Sequence, residues 1–125
     1  MMGIVHHANY LVYCEAARVE WLLRRGVSYD AFTKMGIHLP VVDVRLRYRL
    51  PARFEDDLRV VTTVTELTRV SVRYRYLVTR GEALLCEAET LLACVGDDLR
   101  PKRMPPEITR VFRSAEVAAA PARTE

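Results

Sequence analysis

The sequence predicts an α+β domain in which one antiparallel sheet curves around a long central helix. Three observations support this prediction. Residues 8–25 have the length and apolar content of a buried helix, residues 42–95 hold four runs with the two-residue alternation of strands, and short turns join those runs. A helix packed on antiparallel strands forms a layered α+β architecture. We expect a single domain over residues 1–114 and a disordered tail over residues 115–125.

The composition fits one globular domain in the cytoplasm. The chain has 125 residues, of which 50% are hydrophobic, and a formal net charge of +3, with arginine far more frequent than lysine. Guanidinium groups suit phosphate binding, although genome composition explains an arginine excess equally well. Cys14, Cys86 and Cys94 form no metal-binding pattern, so we expect reduced core thiols, with Cys14 as a nucleophile the less favoured alternative. No signal segment opens the sequence, and no apolar run reaches the roughly 18 residues of a membrane span.

The first helix is predicted over residues 8–25 and is apolar around most of its circumference. Such a helix is expected to be buried on several sides. Gly26 marks its end, because glycine readily adopts the left-handed conformation that follows many helices. A second, short helix is predicted from Ser28, a good N-cap residue, to Met35, with Gly36 ending it.

Four strands are predicted after the helices. The first covers residues 42–50, where apolar and polar residues alternate and predict one buried face. The others cover residues 57–67, 70–78 and 83–95. A tight connection at residues 66–69 joins the second strand to the third, and a hairpin turn at Arg80-Gly81-Glu82 joins the third to the fourth. A short helix is predicted near residues 107–114 after the sheet.

The polar faces of these strands carry many charges. Glu87 and Glu89 share one face of the last strand and are expected to face arginines of a neighbouring strand. The arginines form a stripe on the outer sheet face, namely Arg45, Arg47, Arg49, Arg73 and Arg75. We interpret this stripe as a solvated or oligomer-packing surface. Because no aromatic platform is interleaved with it, nucleic acid is not an expected partner.

Several segments, in their order along the chain, resemble one enzyme family. They are Gly-Ile-Val-His-His-Ala-Asn-Tyr-Leu at residues 3–11, Glu-Ala-Ala-Arg at 15–18, Tyr-Arg-Leu-Pro-Ala-Arg-Phe-Glu-Asp-Asp-Leu at 48–58, Ala-Glu-Thr at 88–90 and Arg-Pro-Lys-Arg-Met-Pro at 100–105. Together they resemble the hotdog-fold acyl-CoA thioesterases of the 4-hydroxybenzoyl-CoA thioesterase and Tol-Pal-associated types. The resemblance implies the hotdog fold, and hydrolysis of acyl-CoA to a free acid and CoA without a metal or other cofactor.

The resemblance also implies where the reaction takes place. The family forms homodimers, often assembled into homotetramers, with active sites between subunits and the thioester carbonyl at the N-terminus of the long helix. The backbone N–H of His7 is then the leading oxyanion donor, with Gly3, Val5 and Tyr10 as further catalytic-site residues. The start of a helix can stabilise an oxyanion, because its first N–H groups have no intrahelical acceptors and it carries a partial positive charge. The His7 side chain either lines the acyl pocket or is structural, and we expect His6 at the surface or at a dimer contact.

The family pattern Asp-x-x-Gly-(Ile/Val)-Val puts its catalytic Asp one position before Met1, outside this sequence. We expect that the natural protein carries this Asp and the family's first strand upstream. The alternative is a non-catalytic hotdog protein that binds acyl thioesters. Glu15 is a less favoured substitute, because it lies about 12 Å along the axis from the helix start and is expected to pair with Arg18. A hotdog dehydratase would need a catalytic Asp/His pair of another pattern, which we do not find.

The phosphates of the coenzyme need basic partners. By resemblance, the turn at residues 68–71 contacts CoA, which implies substrate-binding roles for Arg69 and Ser71. Arg100, Lys102 and Arg103 form a second basic cluster, for which coenzyme binding and a solvated loop are equal alternatives. The sequence does not distinguish an aromatic acyl group from a fatty one.

Overall fold

A computed structural model describes residues 7–50, 57–118 and 122–124, and in it a five-stranded antiparallel sheet packs against a long helix. The helices are α1 (His7–Leu23), α2 (Tyr29–Lys34) and α3 (Pro106–Ala118), and the strands are β1 (Ile37–His38), β2 (Val41–Tyr48), β3 (Arg59–Leu67), β4 (Ser71–Arg80), β5 (Ala83–Ala93), β6 (Val95–Gly96) and β7 (Ala122–Thr124). The strand order in the sheet is β2-β5-β4-β3-β7, and β1 pairs with β6 in a separate ribbon. The predicted α+β architecture is confirmed. None of the helices in the described ranges has the length and apolar character needed to cross a membrane.

Helix α1 buries one face against the sheet. Tyr10, Cys14, Ala17 and Trp21, spaced by three or four residues, are all at most 4% exposed. This spacing puts them on one side of the helix. The expectation of burial on several sides is wrong for the protomer, since the large apolar residues Leu11, Val12 and Leu23 are exposed. The predicted stop is confirmed, because Gly26 has a φ of +78°.

The central strands follow the predicted alternation closely. In β4, Val72, Tyr74, Tyr76 and Val78 point into the core and are at most 1% exposed. The turn between β4 and β5 consists of Gly81 and Glu82, and Gly81 has a φ of +58°, which only glycine adopts without strain. The predicted hairpin is therefore confirmed.

Strand β2 departs from its predicted burial. Its even-numbered residues share the helix-side face with the core residues of β5, through pairs such as Val44↔Thr90 and Tyr48↔Cys86. Yet Val44 is 40% and Tyr48 47% exposed. Strand β2 lies at one edge of the sheet, and α1 covers it only in part. Among the described strands, none pairs with the outer edge of β2, and its apolar residues are exposed to solvent in the protomer.

The buried side chain of Arg18 connects helix α1 with helix α2 and strand β4. Arg18 of α1 is 6% exposed, and its guanidinium donates to Tyr76 Oη at 3.2 Å and to Tyr29 Oη at 3.4 Å. The Tyr76 hydroxyl also pairs with Thr90 Oγ1 at 2.8 Å. The predicted Glu15–Arg18 ion pair does not form, because Arg18 reaches toward the sheet while Glu15 is exposed to solvent.

The C-terminal segment differs from the disordered tail predicted over residues 115–125. Helix α3 continues to Ala118, and β7 pairs antiparallel with β3 through Val60↔Thr124 and Thr62↔Ala122. The edge of β3 offers a row of backbone N–H and C=O groups. Pairing with such an edge is made by the backbone and needs no apolar alternation, so the sequence pattern gave no sign of it.

Candidate functional site

The start of α1 has the electrostatics of an anion site. His7 is the first helical residue, so its N–H belongs to the turn whose donors lack intrahelical acceptors. No acidic side chain lies in this first turn, and the partial positive charge of the helix start is therefore not offset by a carboxylate of the helix itself. Gly3, Val5 and His6 lie outside the described residues, and their predicted roles stay predictions.

Tyr10 connects the helix start to the end of β2. It is 2% exposed, and its ring centroid lies 5.6 Å from that of Tyr48 and 6.4 Å from that of Tyr13. Tyr48 is the last residue of β2. The helix start therefore lies beside the Tyr48 end of the open edge strand. The predicted catalytic-site role of Tyr10 is consistent with this position and stays a prediction.

A second feature is a cleft lined by four arginines, Arg69, Arg103, Arg110 and Arg113, which we call the arginine cleft. Its volume is about 510 Å³, and its other lining residues are Leu67, Thr68, Met104, Pro106 and Thr109. Among the residues that the structure describes, no Asp or Glu lines it. Among the described residues, none of the four guanidinium groups takes part in an ion pair. Four positive charges therefore converge here, and no described carboxylate offsets them.

Three parts of the chain build the arginine cleft. Arg69 lies in the turn between β3 and β4, and Arg103 precedes α3. The backbone N–H of Met104 donates to the Arg69 carbonyl at 2.9 Å, which fixes the two segments side by side. Arg110 and Arg113 are three residues apart on α3 and therefore project from one side of that helix.

The predicted coenzyme-binding residues divide into two groups. Arg69 and Arg103 both line the arginine cleft, and their predicted substrate-binding roles stay predictions. Ser71, Arg100 and Lys102 do not line it: Ser71 Oγ hydrogen-bonds Thr68 Oγ1 at 2.6 Å, and Lys102 Nζ donates to the Gly36 carbonyl at 3.5 Å. Arg100 lies in a turn where its backbone N–H donates to Asp98 Oδ1.

Sequence reasoning missed Arg110 and Arg113. The available signal was the α3 pattern, in which the buried Ile108 and Phe112 define a core face and leave both arginines off it. Nothing in the sequence showed that this polar side would meet the β3–β4 turn, because that contact joins segments about forty residues apart.

The outer face of the sheet is different, because four of its five arginines, Arg45, Arg49, Arg73 and Arg75, are in ion pairs. Glu87 accepts from Arg49 Nη2 at 2.6 Å and from Arg75 Nη2 at 2.7 Å, and these hydrogen bonds lower the pKa of its carboxyl. Arg73 lies 3.6 Å from Glu89. The predicted facing of glutamates and arginines is confirmed. A groove of about 520 Å³ on this face is lined by both signs of charge and is not an anion site like the arginine cleft.

A histidine–aspartate pair lies elsewhere. His38 Nε2 and Asp97 Oδ1 are 2.8 Å apart, with the two side chains 41% and 80% exposed. This pair is open to water and borders neither the helix start nor the arginine cleft. Within the described part of the chain, no group of three or more His, Cys, Asp or Glu side chains is arranged to hold a metal ion.

Burial makes Cys14 unreactive. It is 1% exposed, and burial, together with the nearby Cys86, raises the pKa of its thiol to about 12. Since the thiolate is the nucleophile, Cys14 is protonated and shielded at neutral pH. These observations favour a structural role of Cys14 in the core over a role as a nucleophile.

We expect Cys14 to resist alkylation in the folded protein. At pH 8 and 25 °C, iodoacetamide should modify it at least about 100-fold more slowly than in urea-unfolded protein, because both thiolate formation and access are suppressed. Mass spectrometry of the Cys14 peptide measures the two rates. Similar rates in both states would show that the thiol is accessible and ionised.

The sequence matches a known family over most of its length. The thioesterase-like superfamily matches residues 1–112. The acyl-CoA thioester hydrolase YbgC of Escherichia coli O6:H1 is 31% identical over 113 residues, which cover 89% of this chain and 84% of that protein.

Solved structures agree with this match. A hypothetical protein from Thermus thermophilus superposes with a TM-score of 0.85 at 39% identity, covering 92% of this chain and 88% of that one. The DHNA-CoA thioesterase of Staphylococcus aureus superposes with a TM-score of 0.84 at 26% identity, covering 93% of this chain and 81% of that one. The chain therefore belongs to the thioesterase-like superfamily and is a hotdog-fold hydrolase.

Proposed function

We propose that this protein hydrolyses acyl-CoA thioesters to a free acid and CoA. The main support for the proposal is that Arg69 and Arg103 line one cleft, whose described lining residues include no carboxylate. Guanidinium groups bind phosphate oxygens through charge-assisted hydrogen bonds, and coenzyme A is the thioester carrier that bears a diphosphate and a ribose phosphate. The similarity to the Escherichia coli acyl-CoA thioester hydrolase supports the same substrate class.

The proposed chemistry takes place at the start of α1. The oxygen of water forms a bond to the thioester carbonyl carbon, and the carbonyl oxygen becomes an oxyanion that accepts a hydrogen bond from the backbone N–H of His7. The C–S bond then breaks, the thiolate of CoA leaves and takes up a proton, and the acid is released. Hydrolysis of this kind consumes only water and thioester, so we propose no metal or redox cofactor.

A general base must take the proton of the attacking water. The family resemblance assigns this role to an Asp before residue 1 of this sequence. Glu15 is poorly suited, since it is exposed and lies about 12 Å along the axis from the helix start. We therefore assign none of the described residues to this role.

We further propose that the active protein is a homodimer, or a tetramer built from it, joined through the β2 edges. The open edge and its exposed Val44 and Tyr48 support this, because such an edge readily pairs with a second copy. Antiparallel pairing about a two-fold axis sets the Tyr48 end of one β2 against the Val41 end of the other. The Val41 end of β2 lies at the same end of the sheet as the turn that contains Arg69. This follows from the strand register, in which Val41 pairs with Leu92 and Leu92 pairs with Val72 near that turn. Each helix start would then lie toward the arginine cleft of the partner.

The test uses the complete gene product that contains this chain and a panel of aromatic and fatty acyl-CoAs, with CoA release followed by a thiol reagent. We expect turnover of at least one member and a dimer or larger assembly by light scattering. Tight binding of acyl-CoA with no turnover of any panel member would instead favour a non-catalytic binding protein.

We also propose that the protein acts in the cytoplasm. Its three free cysteines suit that reducing compartment.

A further inference from the structure

We propose that α3 supplies half of the coenzyme site, with Arg110 and Arg113 binding phosphates of the nucleotide and making the protein selective for thioesters of coenzyme A over those of pantetheine alone. This inference rests on the proposed function and extends it to residues and a substrate preference that the family resemblance did not supply. It predicts poor use of thioesters on a carrier protein, which present phosphopantetheine without the nucleotide.

The orientation of α3 fixes where these two arginines lie. Ile108 and Phe112 are 2% and 0% exposed, so one side of α3 is held in the core. Phe112 stacks on Trp21 of α1 with ring centroids 5.7 Å apart. Arg110 and Arg113 are exposed and line the arginine cleft opposite Arg69. Core packing on one side of the helix therefore presents both guanidinium groups to the cleft on the other.

The charge pattern is specific to this place. On the outer sheet face, Glu87 joins Arg49 and Arg75, so positive charges there are offset within the protein. No carboxylate from the described part of the chain lines the arginine cleft, so its four positive charges repel one another. A ligand with several negative charges relieves this repulsion. The nucleotide end of coenzyme A is such a ligand, whereas pantetheine is uncharged.

The shape and lining of the arginine cleft also favour a nucleotide. Its volume of about 510 Å³ lies in the range of small-molecule sites, roughly 300 to 1,000 Å³. Leu67, Met104 and Pro106 give apolar surface for a base, and Thr109 adds a hydroxyl.

The test compares two thioesters of one acyl group, acyl-CoA and acyl-pantetheine, in the wild type and in the double variant Arg110→Ala, Arg113→Ala. Each lost charge-assisted phosphate contact is expected to reduce kcat/KM about tenfold. The double variant should therefore lose about 100-fold on acyl-CoA, mainly through KM, and less than about threefold on acyl-pantetheine. The matched control Arg24→Ala, Lys34→Ala removes two positive charges from exposed i,i+4 pairs and should leave both substrates unaffected.

Calorimetric binding of CoA itself separates this inference from the proposed function. If the wild type hydrolyses neither thioester but the double variant still binds CoA about 100-fold more weakly, the function fails and the inference stands. An equal loss on both thioesters, with a changed circular dichroism spectrum, would point to a structural role of α3 and overturn the inference. Undiminished CoA binding in the double variant would overturn it as well.

Discussion

Replacing His7 with proline is expected to lower kcat by about 100- to 1,000-fold, the usual effect of removing one oxyanion donor. Proline has no backbone N–H, so the variant deletes the proposed donor atom itself. The position tolerates it, because His7 is the first residue of α1 and proline at the first helical position costs no intrahelical hydrogen bond. Steady-state hydrolysis of the best acyl-CoA substrate measures the effect. KM should change by less than about threefold, since the oxyanion forms after binding.

The control variant is His7→Ala, which removes the imidazole and keeps the backbone N–H. It should retain kcat within about tenfold if the N–H is the important group. Equal losses in His7→Ala and His7→Pro would assign the role to the side chain and contradict the backbone proposal. Circular dichroism and light scattering on both variants check that the helix and the assembly are intact.

The local elements were predictable because local rules decide them. Ser28 accepts from the Ala31 N–H at 3.3 Å and caps α2 as expected, and Gly26 and Gly36 both have positive φ at helix ends. The alternation of β4 and β5 gave their core faces correctly, since both strands lie inside the sheet with neighbours on each side. In these cases the immediate sequence contains all the information that the backbone needs.

What the sequence could not predict depends on the place of an element in the sheet. The apolar face of β2 has the same pattern as a buried strand, but α1 does not cover the sheet edge, and Tyr48 remains 47% exposed. The same limit applies to Arg18 and Glu15. Their spacing of three residues permits an ion pair, yet a core hydroxyl on β4 takes the guanidinium instead. Burial and partner choice follow from tertiary packing, which single-sequence periodicity does not contain.

The two halves of the candidate site lie at opposite ends of the protomer. The helix start contacts Tyr48, while the far end of α1 contacts α3 through Trp21 and Phe112. A helix of 17 residues is roughly 25 Å long at 1.5 Å per residue. One coenzyme molecule bound within a protomer would have to cross that length beneath the sheet. The antiparallel pairing of β2 edges that we propose would remove this difficulty, because it would bring the cleft of one protomer toward the helix start of the other.

Replacing Trp21 with alanine is expected to destabilise the protein by about 3–5 kcal/mol, the range for large-to-small changes at buried tryptophan. Trp21 is 1% exposed and lies where α1, the sheet and α3 meet. Its ring is 5.5 Å from that of Tyr74 and 5.7 Å from that of Phe112, and the Arg25 guanidinium lies 3.8 Å from its centroid. Against a typical stability of about 5–15 kcal/mol, this loss removes a large share. Urea unfolding at one fixed protein concentration, followed by circular dichroism because Trp21 is the only tryptophan, measures it.

The control Trp21→Phe keeps an aromatic ring against Phe112 and leaves a smaller cavity, so we expect it to lose clearly less stability than Trp21→Ala.

The same pair of variants tests the link between the core and the arginine cleft. Because Phe112 is one residue from Arg113 and two from Arg110, loss of its stacking partner should loosen α3 and weaken CoA binding in Trp21→Ala before global unfolding. Trp21→Phe should bind CoA nearly as the wild type does. A destabilisation below about 1 kcal/mol in Trp21→Ala would mean that this junction is not the packing centre, and the cleft would then owe its geometry to the Met104–Arg69 backbone contact instead.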